Sequence, residues 1–368
     1  MAGARGVANA LLDAAEDAAS GIDPLQLQKL LYLAQGWTFL RAFGRGGGCK
    51  VFSCCLFFAT QGRRTWYMKG DRSQPRGSTY LQACLSEWLK IKGNRSMTET
   101  NALVVSVHLR GRDGDRHFHM LRSQPRDQIA EAIAATDWKY YERPMPEIYF
   151  SHVKKNPGLV IDIGINTGFY AFLATTASDN NRVLGFEPDP RVRSFLQENI
   201  TLNQLTDRIS VSPLALSDRQ GHATLYLPDP GHGLVETSNS LDPAFQAYSD
   251  TLEVTVSPLD DFLFDAPWQG KRVSTIKIDV EGHEREVLDG ACRTIAEWRP
   301  MIFVEVLTRA DHAALSQMIA GHRYVDVPLR PDGGLSAQSE VAFDPTAWNH
   351  AFVPAELLED FLVNCREP

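Results

Sequence analysis

Three short stretches of this chain combine residue types and spacings suited to chemistry at one edge of a sheet. The first, IDIGINTG at Ile161–Gly168, runs from a Val/Ile-rich segment into the helix-compatible FYAFLATTA, so Asp162, Gly164, Asn166 and Gly168 fall on a strand–turn–helix junction. In an open parallel sheet, ligands bind outside the carboxyl ends of the strands, where glycines let the backbone come close and a helix N-terminus offers free N–H groups. The second, GFEP at Gly185–Pro188, ends another apolar run in Glu187, 19 residues after Gly168. A carboxylate so placed can accept both ribose hydroxyls of an adenosine. The third, IKIDVEGHE, brings Asp279, Glu281, His283 and Glu284 together within six residues. Such a cluster can move protons, because neighbouring like charges raise a carboxyl pKa towards a useful range.

The glycine pattern bears on the ligand. Dinucleotide sites use GxGxxG to bring a helix N-terminus onto a pyrophosphate, whereas Gly164 and Gly168 are spaced GxxxG. Asp162 at the strand end would repel a pyrophosphate but suits a ligand carrying an amino group and a sulfonium cation. The residues therefore favour S-adenosylmethionine over a nicotinamide dinucleotide. Methyl transfer to an alcohol needs alignment and a base for the hydroxyl proton. Asp279 or Glu281 is the candidate, with His283 the rival, and capping of the following helix is an alternative role for Glu281 and Glu284. Three carboxylates could also hold a divalent cation, but the further oxygens such a site needs are not identifiable, so no metal is expected.

The elements that must position these residues alternate. LVIDIG, RVLGFEP, ISVSPLAL, STIKIDV and MIFVEVL read as buried strands separated by helical segments, the mark of βαβ units in a parallel sheet. Val192, Phe195, Leu196 and Ile200 place one covering helix within Glu187–Asn203, and Val287, Leu288, Ala291 and Ile295 place another over Glu284–Glu297. Upstream, Leu11, Leu12 and Ala15, then Leu27, Leu30, Leu31 and Ala34, predict two helices over residues 7–42, the second opened by Asp23-Pro24 and followed by a glycine break at Gly44–Gly48. Between them the pattern is poorer: a β-like VFSCCLFFA, a helix around Tyr80–Lys92, and a hairpin of Ala102–Leu109 with His117–Leu121. His117 and His119 share a strand face but lack an acidic or cysteine partner nearby, so they read as structural rather than as metal ligands.

The 368 residues exceed the usual size of one core, and the composition, 43% hydrophobic and 22% charged, is that of a globular protein. A formal charge of −8 argues against a general polyanion-binding surface, so no nucleic-acid partner is expected. The six cysteines, Cys49, Cys54, Cys55, Cys84, Cys292 and Cys365, form no CxxC pair, which suggests reduced thiols and a cytoplasmic location. No run approaches the ~20 apolar residues of a membrane span, so no membrane partner is expected either.

Residues from about 140 to 354 resemble the FkbM family of methyltransferases. The motifs match in order: Tyr141-Glu142, DIGINTG, FEPDP, ALSDRQGHATLY at Ala215–Tyr226, LDDFL at Leu259–Leu263, and IKIDVEGHE at Ile276–Glu284. The family loop usually has Ala where Ile165 stands, and often an aliphatic at Thr167. The resemblance implies an α/β class I methyltransferase fold, Rossmann-like, with a seven-stranded, mostly parallel sheet flanked by helices. Tyr324–Val327 and Ala351–Val353 would be its sixth strand and its antiparallel seventh. It also implies methylation of a hydroxyl on a small molecule or saccharide, and it makes Ala215 and Asp218 cofactor-proximal, although Asp218 suits a helix cap equally well. Gly231–Pro243, rich in Ser, Asn and Thr, is the expected acceptor loop. PLQLQKLLYLAQGW, within Val7–Arg45, resembles the start of a Panacea or SocA-like antitoxin-associated domain. The expected organisation is thus a helical fragment over 1–45, a weakly specified segment over 46–135 and a methyltransferase domain over 136–368. The N-terminal helices would be either a protein-interaction module or a rearranged fragment. The alternative reading of the whole is an antitoxin- or chaperone-type protein with an inactive methyltransferase-like domain.

Overall fold

A computed structural model of the chain describes residues 104–109, 114–122, 126–228, 234–235, 238–244, 248–264, 268 and 270–366. The expectations for residues 7–45, for VFSCCLFFA and for a helix around Tyr80–Lys92 lie outside the described residues. Packing divides the chain into units 1–102 and 103–368, and the described residues belong to the second.

This unit opens with the antiparallel hairpin β1 (Val104–Leu109) and β2 (Arg116–Leu121), then β3 (Arg126–Asp127), α1 (Gln128–Thr136) and α2 (Met145–Lys155). The alternating part follows as β4 (Leu159–Ile163), α3 (Phe169–Ala177), β5 (Arg182–Phe186), α4 (Pro190–Leu202) and β6 (Ile209–Ser212). Next come the short strands β7 (Ala215–Leu216), β8 (Gly221–Leu227), β9 (Leu234–Val235) and β10 (Asp250–Ser257), and α5 (Leu259–Leu263). The chain then returns through β11 (Val273–Ile278), α6 (Glu284–Asp289), α7 (Cys292–Trp298) and β12 (Met301–Glu305). It ends with α8 (His312–Gly321), β13 (Tyr324–Pro328), β14 (Asn349–Pro354) and α9 (Leu358–Arg366).

The main sheet has seven strands in the order β13-β14-β12-β11-β4-β5-β6, with β14 antiparallel to both neighbours and the β11, β12, β4, β5 and β6 pairings parallel. This is the class I methyltransferase topology, and its last two strands lie where Tyr324–Val327 and Ala351–Val353 were expected. Every residue of β4 is buried, with Val160 in the core on one face and Leu159, Ile161 and Ile163 in the core on the other, as a strand covered by helices on both sides requires. The chain runs from β4 to β5 on one side and later pairs β11 on the other, so β4 marks the switch point at which a crevice opens outside the strand ends.

Two elements differ from their sequence-based outlines. ISVSPLAL is not one strand: Pro213 has no N–H to continue the ladder, and the chain leaves the main sheet to pair β7 with β10 in an accessory sheet ordered β7-β10-β8. The helix expected over Glu284–Glu297 is two, broken at Gly290, where a Cβ would stand 2.1 Å from the Ser217 carbonyl oxygen.

The hairpin is fastened to α4 by side chains. Asn199 Oδ1 accepts from the Leu121 N–H at 2.8 Å while its Nδ2 donates to the Thr167 carbonyl at 3.0 Å. Four residues later, Asn203 Oδ1 accepts from the His119 N–H and its Nδ2 donates to the His119 carbonyl. Two asparagines one helical turn apart thus act as the partner strand that β2 lacks on this side. Because Asn199 is fully buried and also holds the loop before α3, Asn199→Ala is expected to destabilise the protein by about 2–3 kcal/mol, through two stranded backbone groups. Asn203→Ala is expected to cost about 1 kcal/mol, and urea unfolding of both variants checks the order.

Candidate active site

The loop between β4 and α3 is clamped from two sides. Gly164 takes φ +75°, and a Cβ there would lie 2.0 Å from the Asp279 carbonyl oxygen, so the turn rests directly on the end of β11. On the other side Ile165 is buried over Gly185, where a Cβ would stand 2.2 Å from the isoleucine Cδ1. The larger residue at 165 is therefore accommodated by a missing side chain on β5. The amides of Gly164 and Ile165 both donate to the Phe186 carbonyl, at 3.1 and 3.2 Å. Asn166 follows with φ +54° and a buried Oδ1 that accepts no hydrogen bond within the chain, and Gly168 caps α3.

Carboxylates ring this loop. Glu187, at the end of β5, is 6% exposed and is pinned through Oε1 by the Asp189 amide at 3.0 Å. Burial pushes its carboxyl up to about 7 against the pull of the Asp189 and Asn166 amides. Asp162 is 1% exposed, and neither of its oxygens accepts a hydrogen bond. Burial raises it to about 6, opposed by Lys277, whose Nζ lies 3.9 Å away. Lys277 donates to Asp279 Oδ2 at 3.1 Å and sits 5.0 Å from the centre of the Tyr170 ring. The Tyr170 hydroxyl donates to Glu142 Oε2 at 2.7 Å. Burial works against the lysine's charge, yet Asp279, Asp162 and Glu142 hold its ammonium well above the ordinary range.

The structure thus brings Asp162, Gly164, Asn166, Gly168, Glu187 and Asp279 to one edge. Glu281 lies beside them with φ +57°, and Ser240 Oγ donates to its carbonyl at 2.6 Å. Glu284 turns back to accept from the Val280 and Gly282 amides, closing the loop before α6, and burial raises it to about 7. His283 is engaged at both ring nitrogens: Nε2 lies 3.0 Å from Ser217 Oγ, and Nδ1 lies 3.5 Å from Glu286 Oε2. Burial lowers its pKa, so it stands neutral at pH 7 but turned towards the accessory sheet. Asp218 is more exposed and pairs with Arg219, and Ala215 packs in β7 against the core of Leu225, Leu227, Val254 and Val256. Lys277, Tyr170 and the contact role of Glu142 were not read from the sequence. The available signal was a lone lysine inside the apolar strand VSTIKI, which must find carboxylate partners when buried.

Part of the expected acceptor loop spans the opening. Asn239 Nδ2 donates to Asp189 Oδ2 at 3.0 Å beyond β5, while the neighbouring Ser240 holds the β11 side. His108, His117 and His119 share a hairpin face, but among the described residues no group of three or more His, Cys, Asp or Glu is arranged to hold a metal ion. Among the same residues no helix is long and apolar enough to cross a membrane.

Three features fit an S-adenosylmethionine molecule at this edge: the glycine cradle, the buried carboxylate of Glu187 just beyond β5, and the orphaned carboxylate of Asp162. The chain was compared with known families, curated proteins and solved structures. Residues 162–325 match the model of the Methyltransferase FkbM domain. Methyltransferase 1 of Beauveria bassiana is 25% identical over 233 residues, which cover 55% of this chain and 93% of that protein. The 2-O-methyltransferase NoeI of Sinorhizobium fredii is 26% identical over 160 residues, covering 40% of this chain and 63% of that one. The crystal structure of Methyltransferase FkbM from Methylobacillus flagellatus aligns with a TM-score of 0.36 at 19% identity, over 61% of this chain and 55% of that chain. These comparisons give no support to the resemblance read over residues 7–45.

A carboxyl held near 6 instead of its ordinary 3.8 costs the fold about 3 kcal/mol at neutral pH. That cost is full above pH 6 and vanishes below the ordinary value, where both states carry the proton. Asp162→Asn is therefore expected to raise the melting temperature by several degrees at pH 8, with the gain gone by pH 4, while weakening S-adenosylmethionine binding. Melting curves across pH, paired with calorimetric titration, read both.

Proposed function

We propose that this S-adenosylmethionine-dependent methyltransferase, whose residues 162–325 match the Methyltransferase FkbM domain, methylates a hydroxyl oxygen of a small molecule or saccharide. Asp279 carries this reading. Among the acids at this edge, Asp162, Glu187, Glu281 and Glu284 are buried, whereas the Asp279 side chain is 31% exposed. It can meet an incoming hydroxyl while Lys277 fixes one of its oxygens. The Sinorhizobium relative, a 2-O-methyltransferase, points the same way.

The cofactor supplies an electrophilic methyl group on a sulfonium, already primed to leave. The chain's own residues supply position and a proton acceptor. Gly164 and the Phe186 carbonyl fix the loop, Glu187 offers its carboxylate to the ribose hydroxyls, and Asp162 faces the cationic head. Asp279 takes the acceptor's proton, with Lys277 orienting it and opposing the carboxylates around it. Asn239 and Ser240 tie the acceptor loop across the mouth, which limits water and narrows the approach of the acceptor.

With a labelled methyl donor and a panel of hydroxylated metabolites and saccharides beside amine, thiol and carboxylate analogues, label is expected on oxygen of the hydroxylated members. Asp279→Asn is expected to lower kcat by about 100-fold or more, with affinity for S-adenosylhomocysteine within about threefold. Label on nitrogen or sulfur instead, or an unchanged kcat, would remove the proposed chemistry.

A further inference from the structure

The group around Lys277 carries more negative charge than pairing requires. Glu142, Asp162 and Asp279 surround one lysine, so with all three ionised the cluster has two negative charges in excess. Their mutual influence is visible in the protonation of Glu142, which burial and then Asp279 push upward against the pull of Lys277. The arrangement is held rigidly: Lys277 Nζ is 3.1 Å from Asp279 and 3.9 Å from Asp162, and Tyr170 both bonds Glu142 and underlies the lysine. An independent sign that the charge is unspent is Asp162, 1% exposed with no hydrogen bond to either oxygen. Buried carboxylates without donors are costly, and such groups are retained where a ligand supplies the missing charge.

The methyl donor and its product differ in charge at a single atom. The sulfonium is positive and the thioether left after transfer is neutral, whereas the adenosine, the ribose and the amino-acid head are common to both. Contacts to the shared parts, including those of Glu187, hold the two equally. A field from fixed excess charge does not.

We propose that Glu142, Asp162 and Asp279, with Lys277 set among them, form a charge-selective subsite that binds the sulfonium donor more tightly than the thioether product. The proposal rests on the S-adenosylmethionine reading of this edge. It makes Glu142 a specificity-determining residue that acts through charge, and it gives the excess a use: the product loses its hold once the methyl group has moved, which favours exchange for fresh donor.

Calorimetric titration of the full chain with S-adenosylmethionine, S-adenosylhomocysteine and sinefungin separates the terms, because sinefungin carries an ammonium close to the sulfonium position. The wild-type protein is expected to bind both charged ligands roughly tenfold tighter than S-adenosylhomocysteine. In Glu142→Gln, which keeps the shape and an acceptor for Tyr170, affinity for the two charged ligands is expected to fall roughly five- to tenfold, with S-adenosylhomocysteine changed by less than about twofold. Asp279→Asn, at a more open position, is expected to behave alike and serves if the first variant fails to fold. Equal losses for all three ligands, or a wild-type protein without preference for charge, would overturn the subsite. Failure of the wild-type protein to bind any of the three would instead overturn the S-adenosylmethionine reading.

Discussion

No side chain fits between Gly164 and the carbonyl oxygen of Asp279, where a Cβ would stand at 2.0 Å. That close approach seats the β4–α3 turn on the end of β11, and the rest of the site follows from it. Across the sheet Asp162 is in register with Lys277 on one side and with Gly185 on the other, so one row of residues carries the buried acid, its lysine and the gap that receives Ile165. The loop's amides spend their hydrogen bonds on Phe186, which leaves the turn preorganised before any ligand arrives. Asn199 holds the Thr167 carbonyl of the same loop from α4, and through Leu121 it ties the hairpin to that support.

The edge so built is poorly suited to its own stability. Burial raises Asp162, Glu187 and Glu284 to between about 6 and 7, and a fold selected for stability alone would have replaced or paired them. The three have different work. Glu284 satisfies amides of its own loop, Glu187 accepts the Asp189 amide just beyond β5 and is proposed to meet the ribose, and Asp162 lies 3.9 Å from Lys277 without a hydrogen bond of its own. The geometry also separates the candidate bases. His283 is held by Ser217 and Glu286, so it braces the β11 loop against the accessory sheet, whereas Asp279 keeps an open face.

What the sequence made legible was local. A strand, its glycine turn and the helix after it lie within about 20 residues, so IDIGINTG, GFEP and IDVEGHE could be placed at strand ends from periodicity and turn chemistry. The seven strands and the antiparallel last strand followed from the family resemblance borne by those motifs, whereas their order came from the structure. What stayed hidden depends on contacts far apart in the chain: Tyr170 reaches Glu142 across 28 residues, and Asn203 reaches His119 across 84. No period in the sequence encodes such pairs. The lysine in VSTIKI and the asparagine beside Leu196 and Ile200 were visible as polar residues on buried faces, but their partners were not. The accessory sheet was missed for a different reason: Pro213 divides one apolar run between two sheets, and Ala215 went with the second.

In the proposed complex this edge receives S-adenosylmethionine with its ribose at Glu187 and its cationic head at Asp162. A crystal structure of the chain grown with S-adenosylmethionine tests it most directly. Both ribose hydroxyls are expected within hydrogen-bonding distance of the Glu187 carboxylate, with the amino-acid and sulfonium groups beside Asp162 and Asp279. A nucleoside bound elsewhere, with Glu187 and Asp162 left without ligand contacts, would contradict it.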